Sequence, residues 1–288
     1  MRGKKMAGAL MLPLPQISNV NLKQVPVLTD ERLLLCAGVR IAFTSRAGGV
    51  SEGAYTSLNL GDHVQDDPAC VARNRSRLCD ALGAREERLV VPRQVHGCDL
   101  VEIGSSDAAS IERARAAAGE GADGLVVTCA GVPALLCFAD CVPVIIVSPT
   151  GAFAVVHAGW RGAVAHIAAR AVRALAEADA RAGVPDTTFG MNAYLGPHIR
   201  SECFECGEEV VSRFRAEFGE ACVPDARHVD LSTALTRDLV DAGMNPERVA
   251  DAGICTVCAR DEYFSYRAQG GVAGRHGAFA VRGEEVSQ

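Results

Sequence analysis

The sequence predicts an α/β fold in a single domain. Three apolar runs of strand length, GLVVTCA, ALLCFADCVPVIIVSP and AFAVVHAG, do not alternate with polar residues, which is typical of strands covered on both faces. Amphipathic helical patterns follow these runs, and the chain has no internal repeat and no linker-like stretch. Its 288 residues are enough to bury one sizeable core.

The N-terminal part of the chain gives the first elements. We expect residues 1–30 to form a poorly ordered extension and residues 31–288 to form the domain. The segment LLLCAGVRIAFTSR predicts one or two strands that end at Arg46. A helix is then predicted up to Gly83, because Pro68 suits its first turn and an aspartate precedes it.

The remaining elements follow in order along the chain. The segment ERLVVPRQVHG contains a β-branched run that leads to His96, and residues 105–122 predict either a short exposed helix or a mobile loop. After the three apolar strands, AVAHIAARAVRALAEADARAG carries the strongest helical pattern. Two further amphipathic helices, EEVVSRFRAEFG and DLSTALTRDLVDAG, precede a closing strand, GAFAVRG.

Composition excludes several classes of protein. The net charge of −6 argues against binding to nucleic acid or to an anionic membrane surface, which needs a clustered basic face. No run approaches the roughly 20 apolar residues that a membrane span needs. The twelve cysteines lie mostly in apolar runs, which favours reduced thiols in a cytoplasmic protein. We expect a monomer or a weak dimer.

The motif HAGWRG joins an apolar run to a helical pattern. Gly159 and Gly162 would let the backbone approach a ligand closely, and the first amides of the helix favour an anion. Arg161 beside them suits a phosphate or a carboxylate. A purely structural turn is the alternative that this motif leaves open.

Three apolar runs predict strands that each end at a side chain able to bind a metal: His96, Cys141 and His157. Two imidazoles and one thiolate suit zinc, and three protein ligands leave a fourth position for water or substrate. A hydrogen-bonded core histidine is the alternative for His157. Spacing alone does not show that the three residues meet.

Several motifs together resemble the YfiH family, whose members are described as polyphenol oxidases or laccase-domain proteins, purine nucleoside phosphorylases and peptidoglycan editing factors. They run in family order from about residue 40 to residue 280: RAGGVSEGAYTSLNLGDHVQDD, RQVHG, FADCVPVIIV, VHAGWRG, LGPHIRSECFECGEEV, CTVCARDEYFSYR and Gly274-Arg275. The resemblance implies one α/β domain with mixed sheets between helical layers. It also implies that His96, Cys141 and His157 bind a single zinc ion.

The resemblance further implies a purine nucleoside phosphorylase that acts on adenosine, inosine, guanosine and methylthioadenosine with inorganic phosphate, and that also deaminates adenosine. On this view Arg46 and Arg161 suit the phosphate, and Asp140 is the candidate general acid or base. The other pocket candidates in the matching motifs are Gln94 as a catalytic group and, for substrate binding, Asn59, Gly159 and Gly162.

Three other functions remain as alternatives. A zinc amidase that edits peptidoglycan precursors would use the same metal site. A copper-dependent polyphenol oxidase is disfavoured, because the seven histidines include no H-x-H pair and one three-ligand site cannot assemble a copper cluster. A non-enzymatic, zinc-stabilised interaction module is the third.

Other cysteines and histidines are weaker candidates for metal binding. The two C-x-x-C pairs, Cys203/Cys206 and Cys255/Cys258, lie too far apart in sequence for a usual zinc ribbon. The remaining histidines are placed outside the ligand set: His198 and His276 as possible pocket rims, His63 and His228 as surface or capping positions, and His166 on a helix.

Overall fold

The computed structural model of the chain describes residues 10–284. These residues form eleven strands and seven α-helices. The strands are β1 (Ser18–Leu22), β2 (Val25–Thr29), β3 (Val39–Thr44), β4 (Leu100–Ile103), β5 (Gly124–Val127), β6 (Ala134–Phe138), β7 (Val142–Val147), β8 (Phe153–Ala158), β9 (Asn192–Leu195), β10 (Val249–Asp251) and β11 (His276–Arg282). The helices are α1 (Glu31–Ala37), α2 (Pro68–Leu82), α3 (Ala108–Glu120), α4 (Trp160–Val164), α5 (Ile167–Arg181), α6 (Glu208–Phe218) and α7 (Leu231–Asp241).

The strands form two sheets. One is antiparallel, with the order β1-β2-β3-β11-β6. The other has the order β10-β9-β7-β8-β5-β4 and is mixed, because only its two outer pairs, β10/β9 and β4/β5, run parallel. No helix in the part of the chain that the structure describes is long and apolar enough to cross a membrane.

Three apolar clusters hold the layers together. Side chains of both sheets meet in one cluster, as Phe43 of β3 and Ile145 of β7 show. The outer face of the mixed sheet packs on α5, α6 and α7, with Leu175 and Phe214 in that cluster. The outer face of the antiparallel sheet packs on α2 through Leu78. The expected α/β domain with mixed sheets between helical layers is confirmed.

The N-terminal segment differs from its prediction. The expectation of poor order over residues 1–30 is wrong for residues 18–29, which form the antiparallel pair β1/β2 at the edge of a sheet; residues 1–9 lie outside the described residues. The segment LLLCA is α1 and not a strand. Asp30 caps this helix by accepting hydrogen bonds from the amides of Arg32 and Leu33, and Gly38 ends it in a left-handed conformation.

Two other local predictions are now resolved. Residues 105–122 contain a helix, α3, which Asp107 caps and which buries Ile111. The long helical pattern after HAGWRG is two helices, because His166 adopts a left-handed conformation (φ 58°) and separates α4 from α5. Helix α4 begins at Trp160, directly after the strand that carries His157.

Candidate metal centre

Strand register brings Cys141 and His157 together. The antiparallel strands β7 and β8 pair Val142 with Ala158 and Pro143 with His157, so the start of β7 lies beside the end of β8. Cys141 immediately precedes β7. His96 comes from a loop in which it has a φ of 59° and not from a strand end, so that part of the prediction is wrong. Together these segments form the His–Cys–His cluster: His96, Cys141 and His157.

The donor atoms of the His–Cys–His cluster lie within 4.8 Å of one another. The two imidazole rings meet edge to face, with centroids 4.8 Å apart and planes at 86°. His157 is buried, Cys141 is half-buried and His96 is exposed, so the cluster is reached from the side of His96. The geometry suits an ion with three protein ligands and an accessible further position.

A buried carboxylate, Asp123, orients two of the three donors. Its Oδ1 lies 2.7 Å from Nδ1 of His157, which leaves Nε2 of that ring for a metal. The same carboxylate accepts hydrogen bonds from the backbone amides of His96 at 3.0 Å and Gly97 at 2.6 Å. Asp123 therefore positions the His96 loop and the His157 ring, as carboxylates next to metal-binding histidines commonly do.

Gly159 keeps the space at the cluster open. A Cβ atom at this position would lie 3.3 Å from both Sγ of Cys141 and Cδ2 of His96. Such contacts are tight enough that the sulfur or the ring would have to move. The glycine of the HAGWRG motif is thus required by the cluster beside it.

The electrostatics favour a thiolate at Cys141. Burial would raise the pKa of this thiol, but His157 and His96 facing the sulfur outweigh it and lower the pKa to about 6. Burial likewise opposes the charged form of His157, whereas Cys141 and Asp123 raise its pKa to about 9. The thiolate is the form that binds metals, and a bound cation would replace the proton on the imidazole.

A cavity of about 470 Å³ opens at the cluster, within the range of small-molecule sites. Besides the three donors, its lining combines aromatic, polar and basic side chains: His63, Gln94, Cys137, Ala139, Asp140, Ile199, Phe204, Tyr266, Arg267 and Arg275. Metal donors and cationic groups therefore face one cavity.

Two of the predicted catalytic residues line this cavity. Asp140 lies in the connection between β6 and β7 with a φ of 90°, which allows it and the adjacent Cys141 to line the same cavity. Its carboxylate accepts hydrogen bonds from Oγ1 of Thr256 and the amide of Arg267, both at 2.7 Å. The amide group of Gln94 exchanges two 2.8 Å hydrogen bonds with the backbone of Cys137.

The other five predicted site residues are not among those that line the cavity: Arg46, Asn59, Gly159, Arg161 and Gly162. The half-buried guanidinium of Arg46 donates to the carbonyls of Thr56 and Arg260. Asn59 is buried, donates to Asp66 and accepts from the amide of Arg275. Arg161 is exposed, and its guanidinium stacks on the Trp160 ring at 4.4 Å. Gly162 packs under the turn, where a Cβ would lie 2.9 Å from the Gly97 carbonyl.

Sequence reasoning missed several residues of the site. Arg275 and Arg267 contribute the cationic lining, and His63 lies beside them in the cavity and not merely on the surface. His198 and His276 are fully buried, so neither residue forms a rim of the cavity. The one available signal for Asp123 is its position directly before the apolar strand GLVV, where a charged side chain needs a specific partner.

The fold and the donor set together define a class of α/β proteins in which two packed sheets support a cavity lined by one cysteine and two histidines. The chain belongs to the family whose model is described as multi-copper polyphenol oxidoreductase laccase, which matches residues 40–283. The resemblance to the YfiH family is thereby confirmed.

Named relatives and a solved structure agree with this membership. The chain is 35% identical over 257 residues to purine nucleoside phosphorylase YlmD of Geobacillus stearothermophilus. The alignment covers 86% of this chain and 92% of that protein. It is 36% identical over 246 residues to adenosine deaminase RL5 of an unknown prokaryotic organism, in an alignment that covers 83% of this chain and 92% of that protein. The crystal structure of Bacillus licheniformis hypothetical protein YfiH superposes on this chain with a TM-score of 0.78 at 29% identity. The superposition covers 88% of this chain and 96% of that one.

Proposed function

We propose that this protein is a zinc-dependent purine nucleoside phosphorylase that also deaminates adenosine. The observation that carries the proposal is one cavity lined both by the His–Cys–His cluster and by two arginines, Arg267 and Arg275. Phosphorolysis needs a cationic cradle for inorganic phosphate and help for a departing purine. The names of the relatives, which are phosphorylases and a deaminase, support the same pair of reactions.

Zinc is the metal that best suits the donors. One thiolate and two imidazoles are ligands that zinc prefers, and the buried carboxylate of Asp123 behind His157 is typical of zinc sites. Bound zinc would act as a Lewis acid that polarises the purine or an attacking water. A multi-copper centre needs many more histidines, and in the described residues the cluster contains two.

Arg275 is the strongest candidate for binding phosphate. Its Nη1 donates to the carbonyls of Ala273 and Gly274, and its backbone amide donates to Asn59, so the residue is held in place. Burial lowers the pKa of this guanidinium, yet arginine remains protonated in proteins. A half-buried cation of this kind gives strong charge-assisted hydrogen bonds to a phosphate.

The aromatic lining provides a place for the base. Phe204 and Tyr266 present rings to the cavity, and purines stack well on aromatic side chains. Asp140 lines the same cavity as these rings and the cluster, and we assign it the role of general acid or base. The hydrogen bonds from Thr256 and Arg267 fix the orientation of its carboxylate.

Both reactions balance with these residues. In phosphorolysis a phosphate oxygen bonds to C1′ of the ribose while the bond from C1′ to the purine breaks, and the purine takes the electron pair and a proton. In deamination a water oxygen replaces the amino group at C6 of adenosine, which leaves as ammonia. The reduced thiols of Cys141 and the other cysteines fit a cytoplasmic enzyme.

One experiment separates the proposed function from its alternatives. Zinc-loaded protein is incubated with adenosine or inosine, with and without phosphate, and the products are separated by chromatography. We expect free base and ribose 1-phosphate only when phosphate is present, and inosine from adenosine in either case. No change in any nucleoside, together with serine release from a peptidoglycan precursor, would overturn the proposal in favour of the amidase.

A further inference from the structure

Three cysteines outside the cavity lie close together. The sulfur atoms of Cys203, Cys255 and Cys258 are all within 4.8 Å of one another, and those of Cys203 and Cys258 are 3.6 Å apart. We call this group the three-cysteine cluster. Cys206, the fourth member of the two C-x-x-C pairs, is not part of it, because its sulfur faces the carbonyl of Phe204 at 3.5 Å.

The backbone explains how cysteines so distant in sequence meet. His198 and Cys255 form a parallel bridge, in which the amide of Thr256 donates to the carbonyl of His198 at 3.0 Å. The chain then makes a tight turn, in which the amide of Cys203 donates to the carbonyl of Arg200. This turn directs Cys203 towards the segment that carries Cys255. In a second turn the amide of Ala259 donates to the carbonyl of Cys255. This turn places Cys258 next to Cys203 and Cys255.

We propose that the three-cysteine cluster is a second metal site, specific for a thiophilic ion such as zinc(II). In a tetrahedral site with zinc–sulfur bonds of about 2.3 Å, the sulfur atoms are separated by roughly 3.8 Å. The 3.6 Å between Cys203 and Cys258 is already close to that distance. Binding would release the thiol protons and leave the exposed side of Cys258 for a further ligand.

The charges around the sulfurs support this site. Burial raises the pKa of Cys255, but hydrogen bonds from the backbone amides of Arg200, Cys258 and Val257 outweigh it and lower that pKa. For Cys203, burial and then its two sulfur neighbours raise the pKa to about 12. Cys203 is therefore a thiol in the metal-free protein, and an ion would have to displace its proton.

The three-cysteine cluster would join the segment around Cys203 to the segment around Cys255, and both segments lie beside the cavity. Phe204, which follows Cys203, lines the cavity, and Thr256, which follows Cys255, donates to the carboxylate of Asp140 at 2.7 Å. Arg267 also reaches across, because its Nη1 donates to the Cys203 carbonyl at 3.4 Å. An ion held by both segments would restrain the position of these lining residues.

Zinc stoichiometry tests this proposal without any nucleoside assay. Reduced, zinc-saturated protein is freed of excess metal under anaerobic conditions, and zinc per chain is measured. We expect two ions in the wild type and one in Cys258→Ser. Cys258 is exposed, and circular dichroism checks that the variant folds. Cys206→Ser is the matched control and should keep two. Equal zinc content in the wild type and Cys258→Ser, or a Cys203–Cys258 disulfide in anaerobically prepared protein, would overturn the proposal.

A second measurement isolates the new site from the His–Cys–His cluster. In a Cys141→Ala background, added zinc should raise Tm, because an ion that binds only the folded chain stabilises it. The double variant Cys141→Ala/Cys258→Ser should lose that increase. An equal increase in both variants would contradict a role for the three-cysteine cluster, whatever the outcome of the nucleoside experiment.

Discussion

The carboxylate of Asp123 lies 2.7 Å from Nδ1 of His157 and also holds the backbone of the loop that carries His96. One buried side chain therefore fixes two of the three metal donors. Burial opposes its ionisation, but the hydrogen bonds from His157 and from the amides of Gly97 and Val95 outweigh that effect and lower its pKa. Asp123 consequently remains a carboxylate at neutral pH and keeps Nε2 of His157 available for a metal.

Asp123→Asn should weaken zinc binding by about 10- to 100-fold, as is typical when the partner of a ligand histidine is lost. The asparagine keeps the size of the side chain but removes the charge that orients the ring. Zinc affinity is measured by competition with a chromophoric chelator. Asp99→Asn, which alters an exposed carboxylate on the same loop, is the control and should bind zinc like the wild type. Equal affinities for all three proteins would show that Asp123 does not position the ligand.

Gly159→Ala should reduce zinc affinity while the protein stays folded. The new methyl group would lie 3.3 Å from both Cys141 Sγ and His96 Cδ2 and so displace at least one donor. Gly159 has a φ of −70°, so alanine causes no backbone strain there. The matched control is Gly207→Ala, another glycine before a helix, where a Cβ has open space. Unchanged zinc affinity in Gly159→Ala would mean that the donors can move aside freely.

Arg275→Ala should raise KM for phosphate about tenfold or more in inosine phosphorolysis, since hydrogen bonds to charged groups contribute about 1.5–3 kcal/mol. Adenosine deamination uses water and should change much less. Arg161→Ala is the control, because its exposed guanidinium stacks on Trp160 outside the cavity lining. If Arg161→Ala raises KM for phosphate more than Arg275→Ala does, phosphate binds at the HAGWRG motif and not at Arg275.

The sequence predicted the members of the His–Cys–His cluster better than the groups around it. Cys141 and His157 flank apolar runs that form neighbouring strands, so pattern and motif resemblance together identified them. Asp123 has no such motif. Its role depends on the pairing of Gly124 in β5 with Val156 in β8, which places it beside His157, and a sheet register of this kind is a tertiary property that local patterns do not contain.

The basic residues were harder to assign for a related reason. Arg46 and Arg161 stand near glycine-rich segments, which makes them phosphate candidates in the sequence, but neither is among the residues that line the cavity. Arg275 precedes the closing strand and lines the cavity because β11 lies between β3 and β6. The apolar segment of α1 favours a strand by its pattern alone, and only the hydrogen bonds to Asp30 show that it begins a helix.

The pKa values of Cys141 and His157 predict the pH dependence of the metal-free site. The Cys141 pKa is lowered from 9.0 to about 6, so its stabilising contribution is present in full above pH 9 and is lost as the pH falls through 6. The His157 pKa is raised from 6.5 to about 9, so its contribution is present below pH 6.5 and is lost as the pH rises through 9. A thiolate–imidazolium pair should therefore exist between about pH 6 and pH 9.

Thiolate absorbance in the ultraviolet measures this pair directly in protein stripped of metal. The difference between wild type and Cys141→Ser should titrate with a midpoint near pH 6, whereas burial raises the pKa of other thiols such as Cys79 and Cys137 well above neutrality. His157→Gln should move the Cys141 midpoint upwards, because it removes the cation that faces the sulfur. A midpoint that stays near pH 6 in His157→Gln would show that another group stabilises the thiolate. A wild-type midpoint near pH 9 would show that the effect of burial on the Cys141 pKa cancels the effect of the two imidazoles.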